Sequence, residues 1–394
     1  MKILQVVEAC NAGVGRHVRD LCTGLINQGH RVIVAYSPHR ADEAFRQFVL
    51  NRQSEIRFVP LNVRREVSIG SDLRGIIQVR RLINREGPID VVHGHSSKGG
   101  AIARVASRWP SLPAVYTPHS MLVSSPKISH RQAVFYTWVE RILGYWATSQ
   151  IIAVSEEERD FILELNAAPE ERVTVIRNGI SNADFDYLPE NIVEEDVHLK
   201  PLTFGAALRF TTQKAPGCLI EAFAQLDQDV PELPMCLLIA GDGELFAETK
   251  RQVEVSGLGD KVRLLGWKTD IKELLREVDI FVVSSLYESG LSYSTMEAMA
   301  AGLPIVSTKV YGTKRTIDEI PGNVLVSVGD ASALAAGLKR MIQMTSLRSL
   351  RRTLQEIGRA NRDYARTQLT LSDVTNRSLD VYRTVGNYST NQND

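Results

Sequence analysis

The sequence predicts an α/β protein made of two doubly wound parallel-sheet domains. Three observations carry that expectation. Apolar runs of strand length alternate with helix-like segments along the whole chain. The runs near the middle of each half are almost wholly apolar, as strands covered by helices on both faces must be. A polar, acidic, turn-rich stretch at about 178–200 then interrupts the alternation, and a new strand–turn–helix cycle begins after it.

In the first half, strands are expected at Ile3–Val7, Arg31–Tyr36, Asp90–His93, Ala114–Thr117 and Ile151–Val154. In the second half they are expected at Leu202–Leu208, Met235–Ala240, Val262–Leu265, Ile280–Ser284, Ile305–Ser307 and Asn323–Val326. Residues 330–386 read as helical with arginine-rich faces, and 387–394 as a frayed polar end. The expected domains are 1–178, an acidic linker over 179–200, and a second domain over 201–365. A C-terminal helix and polar tail at 366–394 can cross back to the first domain.

The 394 residues suit two domains, and an apolar fraction of 44% supports real cores. No apolar run approaches the roughly 18 residues of a spanning helix. Residues 1–8 read as a buried strand and not as a signal peptide. The four cysteines make no C-x-x-C pair, so no disulfide framework or zinc site is expected and a reducing cytosol is the default. Net charge is zero but uneven: residues 1–150 carry 20 Lys/Arg against 10 Asp/Glu, and residues 151–200 carry 4 against 13. The basic half points to an anionic partner. Its arginines lack the aromatic interleaving of a single-strand binder, so an anionic membrane surface or a pyrophosphate-linked lipid fits at least as well as nucleic acid.

The candidate site residues lie where strands run into helices. Ser284–Thr308 reads as strand end, glycine turn, short helix capped by Ser292, a stop at Gly302, and the next strand. Free N–H groups and the positive helix end before such a helix suit phosphate. Glu288 and Glu297 bracket the turn, which points to a hydroxyl-rich group carried on that phosphate. Arg209 and Lys214, five residues apart between a strand and a helix, can converge on one diphosphate. Gly266-Trp267 ends another strand, where an aromatic ring can cover a nucleobase.

In the first half, Gly13 and Gly15 follow strand one. The third glycine and the later acid of a dinucleotide-binding turn are both missing, which argues against a nicotinamide enzyme. His93 and His95 have no third metal ligand evident in sequence. Lys98, at a helix start, is electrostatically unhelpful to that helix and is free to serve an anion. His119 follows Thr117-Pro118 at a strand end, where ligands gather. Asp184-Phe185-Asp186 has the D-x-D form of metal-dependent sugar transferases, but it lies in the acidic linker and reads as solvated charge.

Together these pieces resemble the family 4 retaining glycosyltransferases of the bacterial surface-polysaccharide type. The matching pieces are Ala12–Gly15, the Val92–Lys98 run, Tyr116–Ser120, Ala153–Glu156, Val175–Ile180, Arg209 with Lys214, Ala240–Gly243 and Glu297–Val306. Their order and spacing over about residues 1–345 carry the match. The resemblance implies the GT-B fold, two Rossmann-like domains facing each other across a cleft. It implies a metal-independent transfer of a hexose-class sugar from a nucleoside diphosphate, uridine favoured over guanosine, to a glycan or polyprenyl-diphosphate-linked acceptor. No cofactor is implied, and the place of work is cytoplasmic, including the inner-membrane face.

The same resemblance implies residue roles. Arg209 and Lys214 bind the diphosphate and offset charge on the leaving nucleotide. Glu297 holds the ribose, and Gly290, Leu291 and Ser292 complete the phosphate cradle. His119 meets the donor sugar, and Gly13 and Gly15 close on the diphosphate or acceptor. Arg16, His17, His95 and Lys98 fall on the acceptor side. The family spaces its two glutamates eight apart, whereas Glu288 and Glu297 are nine apart and Ser289 stands in the first glutamate's register. A GT-B-type nucleotide-sugar epimerase and an inactive nucleotide-sugar-binding homologue are the alternatives.

Overall fold

The computed structural model describes residues 1–394 except 65, 67, 110, 125–127, 182–199, 345–348 and 391–394, and omits the side chains of 69, 124 and 387–390. Most of the expected linker, with Asp184 and Asp186, lies outside the described residues. The chain forms two compact units. Residues 1–178 and the segment from Leu371 make the first, and Gly179–Thr370 make the second.

The first unit runs β1 (Lys2–Val7), α1 (Ala12–Asn27), β2 (Arg31–Tyr36), α2 (Glu43–Arg52), β3 (Arg57–Pro60), α3 (Ile69–Glu86), β4 (Val91–His95), α4 (Ser96–Ser107), β5 (Ala114–Thr117), α5 (His130–Trp146), β6 (Gln150–Ala153), α6 (Glu156–Glu164) and β7 (Val173–Val175). The sheet order is β3-β2-β1-β4-β5-β6-β7, and every pairing is parallel. Period-two alternation divides β1 between two cores. Ile3 and Val7 pack with Val18, Leu21 and Leu25 of α1, while Leu4 and Val6 pack with Val79 and Leu82 of α3 and Ile102 of α4.

The second unit runs β8 (Leu202–Ala207), α7 (Pro216–Asp229), β9 (Met235–Ala240), α8 (Phe246–Val255), β10 (Val262–Leu264), α9 (Lys272–Glu277), β11 (Ile280–Val283), α10 (Tyr293–Ala300), β12 (Ile305–Thr308), α11 (Lys314–Asp318), β13 (Val324–Val326), α12 (Ala331–Ile342) and α13 (Leu350–Gln368). Its sheet, β10-β9-β8-β11-β12-β13, is also parallel throughout. Helix α14 (Leu371–Thr390) belongs to the first unit, where Val374, Leu379, Tyr382 and Val385 join the α1-side core.

Strands β3 and β7 are absent from the sequence expectation. They are the two edges of the first sheet, and both are only partly buried. An edge strand has one covered flank, so its apolar run is short and its signal weak.

Candidate active site

Strand order reverses direction between β1 and β4 in the first unit and between β8 and β11 in the second. Ligands of doubly wound sheets gather outside the strand C-termini at such a switch point. Most candidate residues cluster there in both units, whereas Gly266 and Trp267 follow the edge strand β10, two strands away.

In the second unit, the turns after β8 and β11 are tied to each other. The Leu286 N–H donates to the Gln213 carbonyl (2.7 Å), and the Ser284 hydroxyl donates to the Lys214 carbonyl (2.7 Å). Lys214 closes a single 3-10 turn, Thr212–Lys214, and Ala215 at φ +45° hands over to Pro216, the first residue of α7. The Lys214 ammonium is ion-paired with the Glu288 carboxylate. The Ser285 hydroxyl (2.8 Å) and Gln213 amide (3.4 Å) also donate to Glu288. Glu288, and not Ser289, therefore brings a carboxylate to the lysine. Arg209 stands exposed on the rim, with one guanidinium N–H 3.4 Å from the Gln213 side-chain oxygen.

Ser292 caps α10 as expected, accepting the Thr295 N–H at 3.2 Å. A small recess at this turn is lined by Leu208, Lys214, Ser284, Ser285, Ser292 and Ser294. Glu297 is half-buried, within α10. The Leu291 side chain packs into the core, so only its backbone is available to a ligand. The Gly290 backbone is closely packed by Gly312, where a Cβ would lie 2.2 Å from the Gly290 Cα. Trp267 is 64% exposed beyond β10, so core packing does not explain it. A larger recess around Met1, Lys2, Arg31, Glu86 and Asp90 lies at the amino-terminal ends of the first unit's strands, away from the switch point.

In the first unit the switch point holds imidazoles. His95 Nδ1 is 3.2 Å from His119 Nε2, and His95 Nε2 is 2.7 Å from the Gln5 side-chain oxygen. His17 Nδ1 is 3.1 Å from the Asn178 side-chain oxygen. His93 is bound on both sides, by the Tyr382 hydroxyl (2.6 Å) and the Thr117 hydroxyl (2.8 Å). Burial holds these imidazoles neutral: His17 is lowered to about 4, and His93, His95 and His119 fall well below the ordinary histidine value.

His119 (φ +51°) and Ser120 (φ +81°) adopt the left-handed region that non-glycine residues rarely enter. Glu158 holds that turn, accepting the Ser120 N–H (2.7 Å) and the Val154 N–H (2.8 Å). Its burial pushes the carboxyl up to about 7. Ala12, Ser96 and Ala215, each opening a helix beside a candidate loop, are left-handed as well.

Two expectations change. Lys98 does not wait for an anion: its ammonium donates to the carbonyls of Arg64 (2.9 Å) and Glu66 (2.5 Å) and to Asp72 (2.9 Å), which uses its three protons. Gly15 is required by packing, since a Cβ there would meet the Cys10 carbonyl carbon at 2.8 Å. Gly13 is exposed in the first turn of α1, and Arg16 pairs with Asp20 at 3.5 Å. Sequence reasoning missed Gln5, Glu158, Asn178 and Tyr382. The Ser155-x-x-Glu158 pattern was a readable capping signal, and Asn178 lies inside the Val175–Ile180 piece; Gln5 and Tyr382 had no signal.

The chain matches the family model described as Glycosyltransferase Family 4 over residues 11–183 and that described as Glycosyl transferases group 1 over residues 201–344. It is 28% identical to the UDP-Gal:alpha-D-GlcNAc-diphosphoundecaprenol alpha-1,3-galactosyltransferase of Escherichia coli, over 72% of this chain and 74% of that one. It is 26% identical to the capsular polysaccharide biosynthesis glycosyltransferase CapM of Staphylococcus aureus, over 73% and 76%. Among solved structures, Anabaena Alr3699/HepE in complex with UDP superposes with a TM-score of 0.78 at 18% identity, covering 98% of this chain and all of that one. A likeness at that identity speaks to the fold, two Rossmann-like domains of the GT-B kind.

Proposed function

This chain belongs to glycosyltransferase family 4, and from that premise we propose that it builds bacterial cell-surface polysaccharide by moving a sugar from a nucleoside diphosphate, UDP before GDP, to a glycan or polyprenyl-diphosphate-linked acceptor. The observation that carries this is the Lys214–Glu288 pair at the β8/β11 switch point, beside the N-cap of α10. A diphosphate entering there takes over the lysine's charge, with Arg209 reaching in from the rim. Glu297 takes the ribose, Trp267 the base, and His119 the donor sugar. UDP in the Anabaena complex and the diphosphoundecaprenol acceptor in the E. coli relative's name support the choice of substrates.

The proposed transfer is retaining and needs no metal. The bond between the anomeric carbon and the phosphate oxygen breaks, and a bond to the acceptor oxygen forms on the same face. The acceptor's proton passes to the departing phosphate. Lys214 and Arg209 stabilise that leaving charge, the task a divalent cation has in other transferases. Glu288 is engaged by Lys214 and Ser285, so a carboxylate nucleophile is not part of the reading.

A thermal-shift screen against nucleotide sugars, with and without chelator, tests it. At 100 times Kd a bound donor should add about 2.7 kcal/mol of stability. Arg209→Ala and Glu297→Ala should abolish the shift. Variants that bind as well as the parent would overturn the donor site.

The proposed place of work is the cytoplasmic face of an anionic membrane. No helix among the described residues is long and apolar enough to cross one. Helix α5 leaves Val134, Phe135, Trp138, Ile142, Tyr145 and Trp146 exposed along one face. Arg131 lies on that face too, and the Arg108 guanidinium lies 5.5 Å from the Trp146 ring. Its carboxylate, Glu140, is buried. An aromatic stripe with a cationic fringe is the chemistry of an interfacial helix. Phe135→Ser with Trp138→Ser should lower binding to anionic vesicles at least tenfold and leave nucleotide binding alone. Unchanged vesicle binding removes the membrane from the proposal.

A further inference from the structure

The imidazoles of His17, His95 and His119 each bring one ring nitrogen within 4.8 Å of the other two. Their hydrogen bonds settle which nitrogen carries the proton. The Gln5 side-chain oxygen can only accept, and its amide nitrogen points to the Tyr382 hydroxyl (3.4 Å), so His95 Nε2 is protonated and Nδ1 keeps its lone pair. By the same logic the Asn178 oxygen accepts the His17 Nδ1–H, which leaves Nε2 bare. A metal-ligating histidine has this form, one nitrogen bare and the other N–H held by an oxygen. His93 is excluded because both its nitrogens are occupied.

We propose that His17, His95 and His119 bind one divalent transition-metal ion of the zinc class, with a fourth position open. Zinc–imidazole bonds near 2.05 Å in a tetrahedral site set ligand nitrogens about 3.3 Å apart. His95 and His119 already stand at 3.2 Å. His17 has to close by at most about 1.5 Å, within the reach of a side-chain rotation. With His95 Nδ1 bare, the 3.2 Å contact places the His119 proton on Nε2, so metal binding requires His119 to move to its Nδ1–H tautomer. A set of three imidazoles selects zinc, cobalt, nickel or copper and passes over magnesium and calcium. Half-buried His119 opens the site to solvent. Resting on the reading that His119 meets the donor sugar, the bound ion withdraws that side chain and inhibits transfer.

The test is titration of the chelator-stripped full chain with Co2+ at pH 7.5, followed by the visible absorption of tetrahedral cobalt. One equivalent should saturate the signal, Zn2+ should displace it, and Mg2+ should not. His17→Gln and His95→Gln should each weaken cobalt binding at least tenfold, and a retained cooperative urea transition of the first unit, read from Trp109, Trp138 and Trp146 in a Trp267→Phe background, shows the variants are folded. Gln5→Leu, which touches no metal, should weaken it by about tenfold. No saturable signal, or a signal that survives both histidine substitutions, overturns the site. Cobalt binding with undiminished transfer keeps the metal site and overturns the sugar role of His119. Transfer lost in His119→Ala with no cobalt binding does the reverse.

Discussion

The two units carry the same architecture and opposite chemistry at their switch points. In the first, uncharged imidazoles meet at the strand ends, and the most buried charge pair lies elsewhere: Arg104, fully buried, bonds Glu140 at 2.9 Å beneath the Tyr116 ring. In the second, the charge pair is in the site itself, Lys214 with Glu288, both partly open to solvent. Parallel sheets offer a position, and the loops decide what is presented there. A unit that hides its charges and presents neutral rings should respond to pH. A unit that presents its charges should respond to ligand charge and ionic strength.

The largest expected effect separates the two pairs. Glu140→Ala leaves the Arg104 guanidinium without its anion, with Nη1 already unpartnered. It should cost about 3–5 kcal/mol. Glu288→Ala should cost clearly less, because water can reach the freed lysine. Trp109, Trp138 and Trp146 belong to the first unit and Trp267 to the second, so fluorescence in urea follows the first unit in a Trp267→Phe background and the second in a chain whose other three tryptophans are Phe. Equal losses for the two substitutions would erase the distinction between a structural and a functional pair.

Acid should act on the first unit before the second. His17 falls to about 4 in the folded chain from 6.5, so between those values the unfolded state holds the extra proton. Stability present at neutral pH is then lost as pH falls through that window, roughly 3 kcal/mol for His17 alone. His93, His95 and His119 act in the same direction. Glu158 opposes them: its folded pKa is raised to about 7, so its contribution is present below about 4.5 and is lost as pH rises. Glu158→Gln should therefore steepen the acid limb. No histidine stands among the described residues of the second unit, and its amide-exchange protection should hold from pH 7 to 5. Parallel loss of protection in both units would refute the assignment.

The sheets were legible because central parallel strands are apolar on both faces, and only the half-exposed edges β3 and β7 escaped notice. The second unit's site was legible too, since Arg209, Lys214, Glu288 and Ser292 sit in short turns whose cap and glycine signals are local. The first unit's site was half legible. His95 and His119 could be singled out, but their setting depends on Gln5, Asn178 and Tyr382, residues 90 to 377 positions from their partners. No periodicity encodes such pairings. The engagement of Lys98 was hidden for a related reason: its carbonyl partners come from the loop before α3 and its carboxylate from the first turn of α3, more than 25 residues away and visible only once folded.

The smallest effect asks whether the second unit's site works by charge alone. Trp267 is exposed where a base can stack, and Trp267→Ala should cost about 1 kcal/mol of nucleotide binding, roughly fivefold in Kd. Stacking carries no net charge, so that increment should be the same at low and high salt. The loss caused by Lys214→Ala should shrink as salt screens the diphosphate. Calorimetric titration of the nucleoside diphosphate at two ionic strengths separates the two contributions. A Trp267 increment that fades with salt alongside the lysine's would mean that the ring orders the charged turn and does not cover the base.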